Sequence, residues 1–309
     1  MKQYRTILVA VSFDERDATT LRHAARFAVA AESETVYLAH IAASFDLPEE
    51  VSQKYPELVR PVDEEVSDRL QAIADEQRTA FPERTRLECV AREGHPSGTL
   101  IRLAAQKSAD LVCVGAHDEI AHPIHVAASA IVRKAPCSVL IVPASYEPVY
   151  ERILVPLDFS EPSRAALEQA IALASTDGGA TLEILHVYDV PIGASKTGQP
   201  YQQVAAIMRD VAEGQWSEFS QSVDFRNVPW DMRYELSSNA SGAIDAVADE
   251  IDARLIVLAS HGRTRPAGFL LGHVADSVCS RVSRPVLCVK KKGEVVNLLR
   301  ALRQLYDLE

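Results

Sequence analysis

The sequence predicts an α/β protein built from two similar domains in tandem, each with a parallel β-sheet flanked by helices. Three observations support this fold class. Short β-branched segments alternate with longer segments of helical period. The order of these segments occurs twice. A chain of 309 residues is also long enough to bury two cores of ordinary size.

The duplication is visible in segments that recur in the same order in both halves. The matched pairs are residues 7–28 and 153–174, 36–41 and 182–187, 109–117 and 253–261, and 135–143 and 283–291. The offsets are nearly constant, because 153 − 7 and 182 − 36 give 146 and 253 − 109 gives 144. The spacing of the elements is therefore the same in both copies.

The first copy shows the individual elements. Its β-branched segments predict strands at residues 6–11, 35–41, 86–94, 111–115 and 138–143. Helical periodicity predicts helices at 19–31, 62–81, 97–108 and 126–135. The first of these helices buries one face, formed by Leu21, Ala24, Ala25 and Ala28. Strands alternating with helices pair in parallel through right-handed crossovers, which predicts a doubly wound, five-stranded sheet in each domain. Such a sheet places its ligand site at the carboxyl ends of the strands, near a switch in strand order.

The predicted domains span residues 1–147 and 148–292, and residues 293–309 form a C-terminal amphipathic helix. Apolar residues recur in this last segment at helical spacing, at Val296, Leu299, Leu302 and Leu305. The helix either packs on its own domain or contributes to a dimer contact, and the pattern fits both.

Charge and composition exclude several classes of partner. A net charge of −11 argues against nucleic acid and anionic membranes, since phosphate backbones are bound through clustered Lys and Arg. No apolar stretch has the length of a membrane span, and the first residues lack the pattern of a signal peptide. The five cysteines are isolated, as buried thiols in a reducing compartment would be. We therefore expect a cytoplasmic protein.

The segment from Ile256 to Val278 has the pattern of a phosphate site. A strand ends in small residues and His261-Gly262, a loop follows, and a helix opens at Gly272-His273. Glycines let backbone N–H groups approach phosphate oxygens, and the start of a helix adds a partial positive charge. An ordinary loop has the same composition, so this segment alone does not decide between the two.

Three motifs, ILVPLDFSEPSRAAL, EGHPSGTLIRLA and APCSVLIVP, resemble those of a tandem universal stress protein over residues 1 to 292. The resemblance implies two Rossmann-like domains that form a pseudo-dimer within the chain, with homodimerisation as a further option. In one branch of the family it also implies ATP binding. That branch has Gly, two residues, Gly, nine residues, then Gly-Ser or Gly-Thr; the other branch lacks the motif and is thought not to hold nucleotide.

The second copy keeps most of this motif, with Ala259 at the first glycine and Gly272-His273 in place of Gly-Ser. The resemblance assigns Asp158 to the nucleoside and Val187 to the adenine pocket, although Asp158 is equally suited to cap the following helix. The predicted site consists of Asp158, Val187, Leu258, Ala259, Gly262, Arg263, Gly272, His273 and Val274. The methyl group of Ala259 and the imidazole of His273 are departures that crowd the approach of a phosphate.

The first copy has lost the motif. Ser12 stands in place of Asp158 and Asp118 in place of Gly262, and a carboxylate at that point repels phosphate. Aligning the last helices places His125 opposite Gly272. The same loop concentrates His117, Asp118, His122 and His125, which are suitable zinc ligands. Their spacing matches no known metal motif, which favours a solvated loop. Otherwise we expect a metal only as magnesium accompanying a nucleotide.

The predicted function is a regulatory protein that binds ATP or another adenine nucleotide in its second domain and signals through protein partners. The alternative is a scaffold or chaperone-like protein without nucleotide. No enzyme motif such as a Walker loop or a nucleophile elbow is present, nor the Ser-Gly-Gly-x-Asp-Ser loop of the ATP pyrophosphatases. The one activity compatible with the pattern is slow ATP hydrolysis assisted by Arg263.

Two smaller expectations concern histidines and cysteines. We expect His40 and His186, at the ends of equivalent strands, to pack under a loop and bond to backbone groups. We expect Cys279, on a helix, to be the cysteine most open to oxidation, with Cys113, Cys137 and Cys288 buried.

Overall fold

A computed structural model describes residues 4–42, 54, 64–116, 125–262 and 271–291. The chain divides into two compact units, Met1–Pro148 and Val149–Glu309, called unit 1 and unit 2 below. The amphipathic segment predicted at 293–309 lies outside the described residues. In the part of the chain that is described, every helix is too short or too polar to cross a membrane.

Unit 1 contains five strands and four helices among its described residues. The strands are β1 Thr6–Ala10, β2 Thr35–Ala42, β3 Arg86–Glu93, β4 Leu111–Ala116 and β5 Ser138–Pro143. The helices are α1 Arg16–Ala31, α2 Glu64–Gln77, α3 Pro96–Gln106 and α4 His125–Lys134, and a 3₁₀ turn at Arg78–Ala80 follows α2.

Unit 2 repeats this order. Its strands are β6 Arg152–Pro156, β7 Thr181–Tyr188, β8 Trp230–Leu236, β9 Leu255–Ala259 and β10 Val286–Val289. Its helices are α5 Glu161–Asp177, α6 Tyr201–Ser220, α7 Ala240–Glu250 and α8 His273–Ser280, with a 3₁₀ turn at Ala194–Thr197. Both α4 and α8 begin with His-Val-Ala, so His125 corresponds to His273; the sequence alignment with Gly272 was wrong by one residue because the loop lengths differ.

All described strand pairs within each unit are parallel, which confirms the predicted fold class. The strand order is β3-β2-β1-β4-β5 in unit 1 and β8-β7-β6-β9-β10 in unit 2. In each unit the chain leaves the central strand in one direction and later returns to its other side. The switch in strand order therefore lies between β1 and β4, and between β6 and β9.

The core of each unit consists of apolar strand residues covered by helices on both faces. The central strands are fully buried in the middle, as at Leu8 and Leu154, because a parallel sheet covered on both sides has no solvent face. The predicted face of α1 is buried as expected, at Leu21, Ala24, Ala25 and Ala28. Burial of this face holds α1 against the sheet and so positions the turn that precedes it.

The buried polar residues of α1 include a histidine. His23 is fully enclosed, and its Nε2 atom donates a hydrogen bond of 3.0 Å to the carbonyl of Tyr146. Desolvation lowers the pKa of His23 to about 4, although the bond to the carbonyl opposes this change. The equivalent residue of unit 2 is Gln169, also buried, which supplies an amide donor without a titratable group.

We expect His23 to reduce the stability of unit 1 by about 2 kcal/mol between pH 7 and pH 5. The unfolded chain binds a proton near the ordinary histidine pKa, whereas the folded chain does so only near pH 4. The folded state therefore holds fewer protons in this range, and stability falls as the pH falls. His23→Gln should remove this part of the pH dependence, measured by urea unfolding followed by circular dichroism.

The pH 7 measurement is the control, since any difference between variant and wild type there reports packing alone. An unchanged loss of stability on acidification in His23→Gln would contradict the assignment.

Candidate functional site

A cavity of about 310 Å³ lies in unit 2 at the carboxyl ends of β6, β7 and β9. This is the switch in strand order, where the fold class places its ligand site. The lining residues follow the ends of these strands and the first turns of α5, α7 and α8. They are Pro156, Leu157, Asp158, Ser163, Leu185, Val187, Ala240, Ile244, Leu258, Ala259, His261, Gly262, Gly272, His273, Val274 and Ala275. We call this cavity 2.

All of the predicted site residues that the structure describes line cavity 2; Arg263 lies outside the described residues. The sequence reasoning missed the remaining lining residues, most of them apolar, together with Ser163 and His261. Two signals were available. Leu185 precedes Val187 by one strand period, and His261 lies between Ala259 and Gly262 in the quoted motif. That these residues bind a ligand stays a prediction.

The carboxylate of Asp158 is held at the base of cavity 2. Its Oδ1 atom accepts bonds from the backbone N–H of Ser160 at 3.1 Å and from the Ser160 hydroxyl. Ser160, rather than Asp158, is the N-cap of α5, because its side chain accepts from the N–H of Ser163. Asp158 thus supports the cap while its own position at the cavity is fixed.

Gly262 is required by the close approach of this carboxylate. A Cβ atom built at Gly262 would lie 2.2 Å from Oδ2 of Asp158, far inside van der Waals contact. The backbone of the loop after β9 therefore passes directly over the acid that follows β6. Gly262 and Asp158 are linked by steric necessity, which explains why Asp158 and Gly262 occur together in unit 2 and are both absent from unit 1.

The N-terminus of α8 forms the polar end of cavity 2. Gly272 is the N-cap, and its N–H donates to the carbonyl of Ser260 at 2.7 Å. His273 and Val274 follow in the first turn with exposed side chains, so the imidazole of His273 is directed to the solvent side of the cavity mouth. His261 adds a second imidazole, whose Nδ1 lies 3.0 Å from the Ser260 hydroxyl. The cavity end therefore combines first-turn amides with two imidazoles.

Ala259 of unit 2 stands where unit 1 has a glycine. Its counterpart in unit 1 is Gly115 (259 − 115 = 144), where an added Cβ would approach the Thr20 hydroxyl oxygen at 3.2 Å, toward α1. The residue of α5 that corresponds to Thr20 is Ala166, which has no hydroxyl. Ala259 itself lines cavity 2. That its methyl group crowds a phosphate stays a prediction.

The two strand-end histidines behave as predicted. The Nδ1 atom of His40 donates to the carbonyl of Val11, and that of His186 to the carbonyl of Leu157, both at 2.8 Å. Each ring also packs on a phenylalanine with positive φ, Phe13 or Phe159, with centroids 4.2 and 4.3 Å apart. The histidine pair therefore fixes the turn after the first strand of each unit, and the prediction of a packing role is confirmed.

Unit 1 uses its acid differently. Asp17 of α1 is buried and accepts from the N–H groups of Ser12 and Asp14, at 2.9 and 3.2 Å. Desolvation raises the pKa of Asp17, although the bond from the Ser12 N–H lowers it. Ser12 corresponds to Asp158 and Asp17 to Ser163, because 158 − 12 and 163 − 17 both give 146. The serine and the aspartate have therefore exchanged positions between the two units. The acid of unit 1 thus serves the turn backbone.

The metal and cysteine predictions have different outcomes. His117, Asp118 and His122 lie outside the described residues, as does the side chain of His125, and no group of three metal ligands occurs among the residues that are described.

The expectation for Cys279 was wrong, because its side chain is 2% exposed. A hydrogen bond with Cys288 and burial both raise the pKa of Cys279 above its usual range.

Two doubly wound α/β units in tandem, the second with a cavity at its strand switch, define the class of protein. The model of the universal stress protein family matches residues 3–143 and 149–290. The chain therefore belongs to the universal stress protein family, with two copies of its domain.

Individual relatives agree with this assignment. The chain is 26% identical over 160 residues to universal stress protein MJ0577 of Methanocaldococcus jannaschii, an alignment covering 47% of this chain and 98% of the relative. A universal stress protein structure from Archaeoglobus fulgidus covers 93% of this chain, with 96% of its own length, 18% identity and a TM-score of 0.62. A protein of unknown function from Pseudomonas aeruginosa covers 98% of both chains, with 18% identity and a TM-score of 0.67. The two structural similarities show that the fold extends over both units.

Gly262→Ala should destabilise unit 2 by about 1 to 2 kcal/mol, because the new methyl group forces Asp158 from its bonds to Ser160. The matched control is Gly214→Ala in α6, where an added Cβ meets nothing within 4 Å. In a helix interior that change is expected to stabilise by up to about 1 kcal/mol. Thermal unfolding followed by tryptophan fluorescence measures both, since Trp216 and Trp230 lie in unit 2. Equal stability of the two variants would refute the steric argument.

Proposed function

We propose that unit 2 binds an adenine nucleotide in cavity 2 and that the protein acts as a nucleotide-dependent regulator in the cytoplasm. The observation that supports this most directly is the position of Gly262 and Gly272-His273 at one end of a cavity whose other end is apolar. A nucleotide has the same division, with charged phosphates at one end and an apolar, planar base at the other.

The polar end suits phosphate oxygens. The first-turn N–H groups of α8 have no intrahelical acceptor, and the helix dipole adds a partial positive charge there. Gly262 brings backbone close to the cavity without a side chain. The imidazoles of His261 and His273 add two further hydrogen-bonding groups at this end. The backbone N–H of His273 is retained despite the change from a small hydroxyl residue.

The apolar end suits a nucleobase. Pro156, Leu185, Val187 and Ile244 supply hydrocarbon surface, and Ala240 opens the wall at the start of α7. Asp158 lies between the two ends, where its carboxylate is able to accept from ribose hydroxyl groups. A volume near 310 Å³ is at the lower limit of typical small-molecule sites, which is consistent with a ligand whose phosphates extend to the mouth.

Gly272→Asp should weaken ATP binding at least about tenfold, a loss of about 1.4 kcal/mol, because its carboxylate repels the phosphates. The fold should survive, since Asp is a favoured N-cap residue and a Cβ at this position meets its neighbours at 3.4 Å, an ordinary contact. Gly272→Ser is the control, because serine is a good N-cap without charge. Titration calorimetry with ATP measures all three proteins.

Mass spectrometry of small molecules released from the denatured wild-type protein identifies the nucleotide itself. Tight binding to the wild type and to Gly272→Ser, lost in Gly272→Asp, supports the proposal. Absence of ATP binding by the wild-type chain, with no rise in its melting temperature at excess ATP, would refute it and leave the scaffold function as the explanation for cavity 2.

A further inference from the structure

Two cysteines of unit 2 face each other between α8 and β10. Cys279 lies in the last turn of α8 and Cys288 lies within β10, and α8 packs on this strand. Their side chains are 2% and 0% exposed, and a hydrogen bond joins the two thiol groups. Both cysteines are reduced. The two thiols are therefore in direct contact inside the core.

Packing alone does not require this pair, because unit 1 has hydrocarbon side chains at the equivalent positions. Ile131 of α4 is equivalent to Cys279 of α8, since 131 − 125 and 279 − 273, counted from the starts of the helices, both give 6. The strand registers of β4 with β5 and of β9 with β10 make Ile141 the equivalent of Cys288. Both isoleucines are buried. Unit 2 thus has a thiol on each side of a contact that is made by hydrocarbon in unit 1.

The hydrogen bond makes the two thiols chemically unequal. The bond from Cys279 lowers the pKa of the Cys288 thiol, and Lys290 acts in the same direction, although burial opposes both. The same bond and burial raise the pKa of Cys279. Because the thiolate is the nucleophilic form of cysteine, Cys288 is suited to react first and Cys279 to react second.

We propose that Cys279 and Cys288 are a peroxide-reactive thiol pair, which closes to a reversible disulfide and thereby clamps α8 on β10. The Cys288 thiolate attacks hydrogen peroxide, so that an S–O bond forms, the O–O bond breaks and hydroxide leaves. The sulfur of Cys279 then attacks the sulfenic acid; the S–S bond forms, the S–O bond breaks, and the oxygen leaves as water with the Cys279 proton. The first hydroxide takes up the proton released by Cys288. In total, two thiols are oxidised by two electrons and one peroxide is reduced to two water molecules.

Burial of the pair slows this reaction without preventing it. A disulfide has an S–S distance of about 2.05 Å, so the sulfur atoms have to close in only from hydrogen-bond contact. Hydrogen peroxide is little larger than water and reaches the pair when α8, a helix of eight residues, opens locally from the sheet. The pair therefore reacts through local opening, in contrast to an exposed surface thiol.

The disulfide acts on the helix that bounds cavity 2. Cys279 lies near the C-terminal end of α8, whereas Gly272 and His273 at the other end line the cavity. A covalent link to β10 opposes detachment of the whole helix, because an eight-residue helix has too few other contacts to open in parts. This inference does not depend on a nucleotide being the ligand of cavity 2.

A second pair of buried cysteines, in unit 1, supplies an internal control. Cys113 of β4 pairs in register with Leu140 of β5, and Cys137 lies three residues before Leu140. Three residues of extended chain span about 10 Å, whereas a disulfide requires Cα atoms within about 7 Å of each other. We therefore expect no disulfide between Cys113 and Cys137.

The test treats the reduced, folded full chain with a small excess of hydrogen peroxide, blocks the remaining thiols with iodoacetamide in denaturant, and digests with trypsin. Arg281 lies between Cys279 and Cys288, so trypsin separates their peptides unless a disulfide joins them. Mass spectrometry should find these two peptides linked in most chains and released by dithiothreitol. Hydrogen exchange of the α8 amides should be at least about tenfold slower in the oxidised chain.

Cys288→Val is the matched variant, because a β-branched side chain, Ile141, is buried at the equivalent position of unit 1. The same peroxide treatment should leave hydrogen exchange of its α8 amides unchanged. Three results would overturn the proposal: folded wild-type chains without the linked peptides, linkage of Cys113 to Cys137 as often as Cys279 to Cys288, or unchanged exchange of α8 after linkage. Equal slowing of exchange in Cys288→Val would also overturn it.

Discussion

The register of the central parallel strands determines how Asp158 and Gly262 of unit 2 lie relative to each other. β6 pairs with β9 through Ile153 with Leu255 and Leu154 with Ile256, so the two strands end at the same edge of the sheet. The turn containing Asp158 is thereby placed against the loop containing Gly262, and their separation leaves no room for a Cβ atom. A slip of one residue would move each buried side chain of β6 to the opposite face, so the core that buries Leu154 also enforces this contact.

The same framework explains what the two units share and where they differ. Each unit keeps a histidine that bonds to the carbonyl of the residue directly after the first strand and packs on a phenylalanine with positive φ. This arrangement stabilises the turn whatever the cavity binds. The acid, in contrast, lies on the loop in unit 2 and on the helix in unit 1, at Asp158 and Asp17. The carboxylate accepts from turn N–H groups in either place, but only Asp158 lines a cavity.

Much of the fold was predictable from the sequence because its signals are local. Periodicity located the elements, and duplication showed that each of them belongs to a repeated parallel unit. Asp158 and Gly262 were found by resemblance, since their motif has a fixed spacing. The burial of Cys279 against Cys288 was not predictable, because it depends on which face of α8 meets β10. The role of Asp17 in the turn of unit 1 was also not predicted, because hydrogen-bond partners depend on the path of the turn backbone.

The anchoring of α8 bears directly on how strongly cavity 2 could bind a phosphate. α8 has only eight residues, and an isolated helix of that length is not stable in water. Its buried face, which includes Ala275, Val278 and Cys279, holds it in place in the structure described here. The Gly272 N–H bond to Ser260 further fixes its first turn relative to the end of β9. Because the amides are already ordered, a ligand would not incur the entropy of forming the helix, and a few hydrogen bonds would suffice for useful affinity. Packing of the buried face of α8 thus orders the N–H groups at its N-terminus before a ligand binds.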